Sequence, residues 1–240
     1  METRDIELML MRTWPAIEER TYDGWVLRFS RGYTKRSNCI NPLYESYFDL
    51  EEKFEYCRKI YKEKRLPIIY KLIDTKVSLM VDEFLEKKGL KKEEIDLTDV
   101  EYNLKSISIN WGFSKEWYDF YTAENNLNTE EKDILKKLLE KNDKNNVYVY
   151  KSINNEIIAV AMGSVEKNRM GIFNVYVKDT YRKKGYATEI LEGLLVEARK
   201  INVEKAYLQV METNERALKL YKKMGFVPKY KTWYRYWTLQ

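Results

Sequence analysis

Residues 171–226 constrain this chain most, because they run strand, helix, strand and helix with short connections, the order of an α/β sheet. Residues 171–177 are β-rich, and Ile190, Leu191, Leu194, Leu195 and Ala198 then fall on one helical face. The loop between them is basic and contains one glycine. Arg182, Lys183 and Lys184 supply positive charge, and Gly185 lets the backbone approach a ligand. The helix that follows opens with unpaired N–H groups and the positive end of its dipole. A loop of this kind can hold a pyrophosphate, although a solvated turn before an ordinary helix would show the same local features.

The downstream residues add a second pattern. A strand at 206–211 leads through Glu212, Thr213 and Asn214 into a helix at 215–224, closed by Gly225 with Phe226 and Pro228 beyond. Asn214 suits the N-cap of that helix and suits a ligand contact equally well. Ala217, Leu220, Tyr221 and Met224 follow helical spacing, so Tyr221 reads either as a core residue with a satisfied hydroxyl or as a group facing a site.

Taken together, Arg182-x-x-Gly185-x-Ala187 and Asn214-x-x-Ala217-x-x-x-Tyr221-x-x-x-Gly225-Phe226 resemble the acetyl-CoA signature of the GNAT superfamily of N-acetyltransferases. Two separate motifs occur in the right order and spacing over the last third of the chain. Ala187 stands where many members carry a second glycine, and alanine is a usual alternative.

The resemblance implies a GNAT-like mixed sheet flanked by helices, with acetyl-CoA as cosubstrate and no metal. The family splays the strand at 171–177 from the one at 206–211, freeing backbone groups of Val175, Tyr176 and Val177 for the pantetheine arm and the thioester carbonyl. The amides of Arg182, Lys183, Lys184, Gly185, Tyr186, Ala187 and Thr188 would wrap the pyrophosphate. Asn214 would contact the pantetheine side, and Tyr221 would give its phenolic proton to the departing thiolate. The implied reaction is direct attack of a primary amine on acetyl-CoA within a ternary complex. A non-enzymatic acyl-CoA sensor is the alternative, and such a module has no need of a proton donor at the sulfur.

The chain contains no histidine. Deprotonation of an attacking amine therefore falls to a carboxylate, a tyrosinate, a backbone carbonyl or a water chain. Glu166 and Glu212 lie near strand ends but read as solvated surface carboxylates. The 240 residues suffice for one large or two small domains. With 43 basic against 38 acidic residues and a net charge of +5, the surface is mixed, which argues against nucleic acid as a partner. Cys39 and Cys57 lack metal-ligand spacing and read as free thiols of a reducing compartment. No apolar run approaches the length of a membrane span and the acidic start does not resemble a secretion signal, so a cytoplasmic location is expected.

Earlier residues suggest a duplication. The segment 81–90 ends in Gly89 and Leu90 much as 217–226 ends in Gly225 and Phe226, with Leu85 at the position of Tyr221. Before it come strand-like runs at 24–29 and around Cys39 and Ile40, a helix-like run at 50–62 and a strand at 68–73. Residues 41–46 replace the basic glycine loop, so the first half is expected to lack the cofactor site. The expected organisation is a degenerate GNAT-like domain at 1–105 and an acetyl-CoA-binding GNAT domain at 106–240.

The second half is expected to open with helices at 114–125 and 129–141, capped by Ser114 and Thr129, then a hairpin turning at Asn154 and Asn155. In the family these first helices line the acceptor pocket, here Trp111, Phe113, Trp117, Tyr118 and Tyr121, though packing on the sheet accounts for at least half of such aromatics. The alternating aromatic segment 230–237 reads as a final strand able to reach a neighbouring half or a second copy. The identity of the acceptor amine stays open.

Overall fold

The computed structural model describes residues 3–99 and 107–237, the side chains of 94–99 and 237 excepted. The chain divides into two compact units, one of residues 1–96 with 230–240 and one of residues 97–229.

The first unit begins with helix α1 (Thr3–Thr13) and the hairpin of β1 (Glu18–Tyr22) and β2 (Trp25–Phe29). Asp23 and Gly24 both take positive φ there, 40° and 79°, the backbone demanded by a two-residue primed turn. Strand β3 (Ile40–Pro42) pairs antiparallel with β2 and parallel with β4 (Ile68–Ile73), the helix α2 (Leu50–Glu63) making the crossover. Helix α3 (Lys76–Lys87) follows, and β5 (Lys91–Asp99) carries the chain onward.

Strand β11 (Val227–Trp237) brings the chain back, and Thr232 to Trp237 pair antiparallel with β4 from Ile73 to Ile68. A boundary at 105/106 groups this strand with the second half, whereas its pairing lies in the first unit. The cause is visible in its side chains. Trp233 Nε1 and Arg235 Nε both donate to Asp82 Oδ1, at 2.8 and 2.7 Å, and Thr232 Oγ1 donates to Leu72 O at 2.8 Å. Of the two partners the aromatic alternation suggested, a neighbouring half or a second copy, the strand takes the first: it pairs with β4 of the first half.

The second unit contains β6 (Ser108–Trp111), α4 (Lys115–Glu124), α5 (Thr129–Glu140), β7 (Asn146–Ile153), β8 (Glu156–Glu166), β9 (Arg169–Val177), α6 (Tyr186–Lys200), β10 (Lys205–Met211) and α7 (Glu215–Lys223). Its strands lie in the order β10-β9-β8-β7-β6, with β9 and β10 parallel and the remaining pairs antiparallel. One face packs on α6 and α7. Ile190, Leu191, Leu194, Leu195 and Ala198, the apolar stripe of α6, meet Ile172 of β9 and Leu208 and Val210 of β10 in a single core.

Ser114 caps α4 as its position suggests, accepting from Trp117 N. For α5 the cap is Asn128 rather than Thr129, because Asn128 and Glu131 complete a reciprocal capping box one residue earlier. Trp117 is fully buried, stacked on Tyr121 at 5.0 Å and edge-on to Tyr148 at 5.1 Å, with its indole N–H donating to Ala161 O at 2.9 Å. It fastens α4 to the sheet and is not a pocket wall. Trp117→Ala is expected to lower unfolding stability by about 3–5 kcal/mol, read as a shift of the urea midpoint.

Candidate functional site

The site begins where two parallel strands stop pairing. The register of β9 and β10 runs from Arg169 opposite Lys205 to Ile172 opposite Leu208 and goes no further, although β9 continues to Val177 and β10 to Met211. On its other side β9 carries a bulge. Met162 faces Phe173 but Val160 faces Tyr176, so Asn174 and Val175 share one position of β8, and Asn174 takes a φ of 53°. The extra residue bends β9 away from β10 and exposes a row of backbone groups along 175–177.

The loop after β9 then turns into α6. Lys183 and Gly185 both have left-handed backbone, φ 63° and 88°. A Cβ at Gly185 would meet no atom within 4 Å, so the glycine fronts open space and is required by its φ rather than by crowding. Lys183 holds the same conformation without being glycine, a local cost of about 1–2 kcal/mol that such sites tolerate where a ligand is gripped. The first amide of α6 to find a partner behind it is Glu189 N, which donates to Gly185 O at 3.1 Å. The N–H groups of Tyr186, Ala187 and Thr188 therefore point out of the helix mouth without intrahelical acceptors.

These elements enclose a cleft of about 680 Å³ lined by Val175, Tyr176, Val177, Arg182, Lys183, Gly185, Tyr186, Ala187, Thr188, Asn214 and Tyr221. Lys184 is not among the lining groups; its ammonium sits over the Tyr181 ring, 5.1 Å from the centroid. Sequence reasoning missed Arg216, Lys219 and Lys223, which α7 adds to the same wall. With Arg182 and Lys183 they give the lining five cations and no carboxylate, and their spacing along one face of α7 is the signal that could have found them. An extended polyanion fits this lining.

One of the cations, Arg182, is pre-set by its neighbours. Arg182 Nε donates to Val177 O at 3.0 Å and its guanidinium pairs with Asp179 at 2.5 Å. Asn214 caps α7, its side chain accepting from Ala217 N at 3.2 Å while it also faces the cleft. Tyr176 turns its hydroxyl away from the basic loop, donating to Glu124 Oε2 at 3.1 Å, and Glu124 also pairs with Lys178 at 3.3 Å. Burial foremost, and then the Glu124 carboxylate, raises the Tyr176 phenol above its ordinary value.

Tyr221 lines the cleft with 8% of its surface exposed, and among the described residues nothing hydrogen bonds its hydroxyl. A core tyrosine normally satisfies that group. Burial alone pushes the phenol up to about 12. It is therefore protonated at any working pH and about 3.5 pKa units weaker as an acid than a thiol. Glu166 lies opposite Arg169 at the far end of β9 from the cleft. Cys39 and Cys57 are buried in the first unit, the Cys57 thiol pushed up to about 12 by burial, so neither is a nucleophile for this site.

A sheet opened beside a bulge, a basic helix mouth in the gap and a tyrosine across it are features of the GNAT type of acyltransferase. The family described as "Probable histone acetyltransferase Rv0428c C-terminal" matches residues 1–237, and the chain belongs to that family. It is an acyltransferase. The chain is similar over 240 residues, at 24% identity and 95% of both sequences, to "Uncharacterized N-acetyltransferase YobR" of Bacillus subtilis. Over 73 residues, 30% of this chain and 49% of the relative, it is 32% identical to the ribosomal protein bS18-alanine N-acetyltransferase of Escherichia coli. A GCN5-related N-acetyltransferase from Kribbella flavida shares the fold with a TM-score of 0.71 at 12% identity, over 99% of this chain and 96% of that one. Among the described residues no helix is long and apolar enough to cross a membrane.

Two outcomes check this geometry. Asn214→Ala should cost about 1 kcal/mol of stability through the lost cap while Asn214→Ser restores it, read from thermal midpoints. Replacing Arg182 and Lys183 together by alanine should weaken coenzyme A by about 10- to 100-fold yet leave pantetheine analogues that lack the phosphates nearly unchanged, as measured by calorimetry.

Proposed function

We propose that the protein transfers the acetyl group of acetyl-CoA to a primary amine by direct attack in a ternary complex. The observation that carries this is the Tyr221 hydroxyl, which takes no hydrogen bond from the described residues and opens on a cleft whose other wall is a cation-rich helix mouth. In this reading the amides of residues 182–188, with the Arg182 and Lys183 side chains beside them, hold the pyrophosphate, and the backbone of 175–177 on the side facing β10 aligns the pantetheine arm and donates to the thioester carbonyl oxygen. Asn214 contacts the pantetheine side.

Tyr221 then donates a hydrogen bond to the sulfur as the carbon–sulfur bond breaks. Complete transfer of its proton to a free thiolate is uphill by about 5 kcal/mol at the difference just given. The hydrogen bond therefore stabilises charge as it develops, and the proton moves only as the amine nitrogen gives up its own. No histidine exists to take that amine proton. Glu124 is already committed to Tyr176 and Lys178, so water carries the proton to solvent.

The first unit is read as a degenerate GNAT-like half, giving a tandem chain with domains near 1–105 and 106–240. Two matched details and one contrast support the reading. Leu90 N donates to Leu85 O at 3.1 Å across Gly89 (φ 80°), as Phe226 N donates to Tyr221 O at 2.9 Å across Gly225 (φ 82°). The parallel pair β3 and β4 meets only at Ile40 opposite Tyr70, a contact even shorter than that of β9 and β10. Leu85 is fully buried where Tyr221 reaches a cleft. The mouth of α2, which corresponds to that of α6, is closed to anions. Asp49 occupies it by accepting from Glu52 N, with Glu51 and Glu52 in the first turn.

Thiol release from acetyl-CoA in the presence of a panel of amines tests the activity. Tyr221→Phe should lower kcat by about 10² to 10⁴ with little change in acetyl-CoA affinity. Because the phenol loses its proton only near pH 12, kcat/KM should show no descending alkaline limb below about pH 11 that Tyr221→Phe removes. An unchanged rate in the phenylalanine variant would return Tyr221 to the core.

A further inference from the structure

We propose that the aromatic and acidic loop 44–48, at the entry to α2 in the first unit, is a docking site for an arginine- and lysine-rich segment of another protein. The inference is separate from the transferase reading and does not concern the acetyl acceptor of the cleft.

Eight large apolar side chains are exposed among the described residues, and three of them, Tyr44, Tyr47 and Phe48, fall within this one loop. Tyr47 is 99% exposed and so contributes nothing to the core. Scattered single exposures need no explanation, whereas a cluster marks a surface that meets something. The cluster continues through stacked rings, Phe48 on Tyr22 at 5.8 Å and Tyr22 on Tyr56 at 3.8 Å.

The loop is held firmly for one so exposed. Tyr44 N donates to Gly24 O at 3.1 Å, and the Asp23 carboxylate accepts from Tyr47 N and Phe48 N, each at 3.0 Å. Lys53, fully buried and 4.1 Å from the centroid of the Trp25 ring, pairs with that carboxylate at 3.1 Å. A Cβ at Gly24 would lie 2.5 Å from Glu45 O, so the loop backbone seats directly on the turn between β1 and β2. Asp23 and Lys53 thus fix the backbone and leave the three rings to solvent. Rings fixed in advance lose little entropy when a partner covers them.

Charge selects the partner. The chain carries a net charge of +5, yet residues 44–56 contain five acids and a single base, Lys53, which is spent on Asp23. Glu51 pairs with Lys88 and Glu55 with Arg58, whereas Glu45, Asp49 and Glu52 form no ion pair among the described residues. Burial first, and then the Glu52 carboxylate, raises the Tyr22 phenol above its ordinary value, which sets Glu52 beside the stacked rings. Arg4 already displays the mode of contact, its guanidinium 5.0 Å from the centroid of the Tyr44 ring. Carboxylates among ring faces attract guanidinium and ammonium groups and repel phosphate. Nucleic acid and anionic membrane are therefore disfavoured, and a neutral glycan would stack on the rings without using the acids.

The test uses the full chain and a fluorescent peptide of about twelve residues alternating arginine with serine, beside the same peptide with citrulline for arginine, which keeps the shape and removes the charge. At low salt the arginine peptide should bind about 10-fold or more tighter than the citrulline peptide, and the difference should shrink as salt rises. Tyr47→Ala should weaken the arginine peptide about 3- to 5-fold, and Glu45→Gln with Glu52→Gln about 5- to 10-fold. Melting temperatures should hold, because all three side chains are exposed. Glu130→Gln with Glu140→Gln on α5 makes the same change in net charge and should leave binding unaltered.

Equal affinity for the two peptides, binding that survives both loop variants, an equal loss in the α5 control, or no binding at all overturns the assignment. Tyr47-dependent binding of phosphatidylcholine–phosphatidylserine vesicles or of a neutral β-glucan in place of the peptide overturns it in favour of a lipid or a sugar. Acetyl-CoA turnover enters none of these readouts, so failure of the transferase reading leaves this one standing, and the reverse.

Discussion

The loss of pairing between β9 and β10 beyond Ile172 and Leu208 is the constraint on which the rest of the second unit depends. Parallel strands normally stay paired because each unpaired backbone group forfeits a hydrogen bond. Here the bulge at Asn174 takes up one extra residue against β8, and β9 leaves its neighbour. The exposed backbone gains a purpose only if an extended ligand lies against it. The mouth of α6, directly after β9, supplies the cationic end for such a ligand, and α7, directly after β10, supplies the opposing wall. Connection lengths alone place both helices at the fork.

Rigidity of the fork comes from the core beneath it. Ile172 and Leu208, the last paired residues, sit in the same cluster as the α6 stripe and Phe226, so the point of divergence is held by burial on one face. On the other face Trp117 anchors α4 to β8 through the carbonyl of Ala161, the β8 residue opposite the bulge. A splayed pair without such support would close or slip. Trp117 of α4 thus fixes the strand against which β9 bulges.

What could be read from the sequence was what is encoded locally. The basic loop, Gly185 and the α6 stripe are consecutive or spaced by a helical turn, and each has a residue-level cause. Asn214 as a cap needs only the helix that follows it. The bulge could not be read this way, because Asn174 in a β-rich run looks like any strand residue until its pairing with β8 is known. The partner of 230–237 was equally hidden. Alternation says strand, but Asp82, which ties down Trp233 and Arg235, lies about 150 residues earlier. The shift from Thr129 to Asn128 as the α5 cap turned on Glu131, whose side chain completes the box only from the earlier start.

The mouths of α6 and α2 differ in what they offer an anion. Ahead of α6 the chain places Gly185, which has no side chain to satisfy the amides behind it, and those amides stay available. Ahead of α2 it places Asp49, whose carboxylate takes the Glu52 amide, and two more acids follow. A carboxylate at that point satisfies the donors that a phosphate would need and adds like charge to repel it. Leu85 in place of Tyr221 makes the same distinction across the gap. A leucine closes the core, whereas the phenol of Tyr221 puts a hydroxyl on the cleft wall. The open helix mouth and the cleft-facing phenol both belong to the second unit, while Asp49 and Leu85 are the groups found at the helix mouth and in the core of the first.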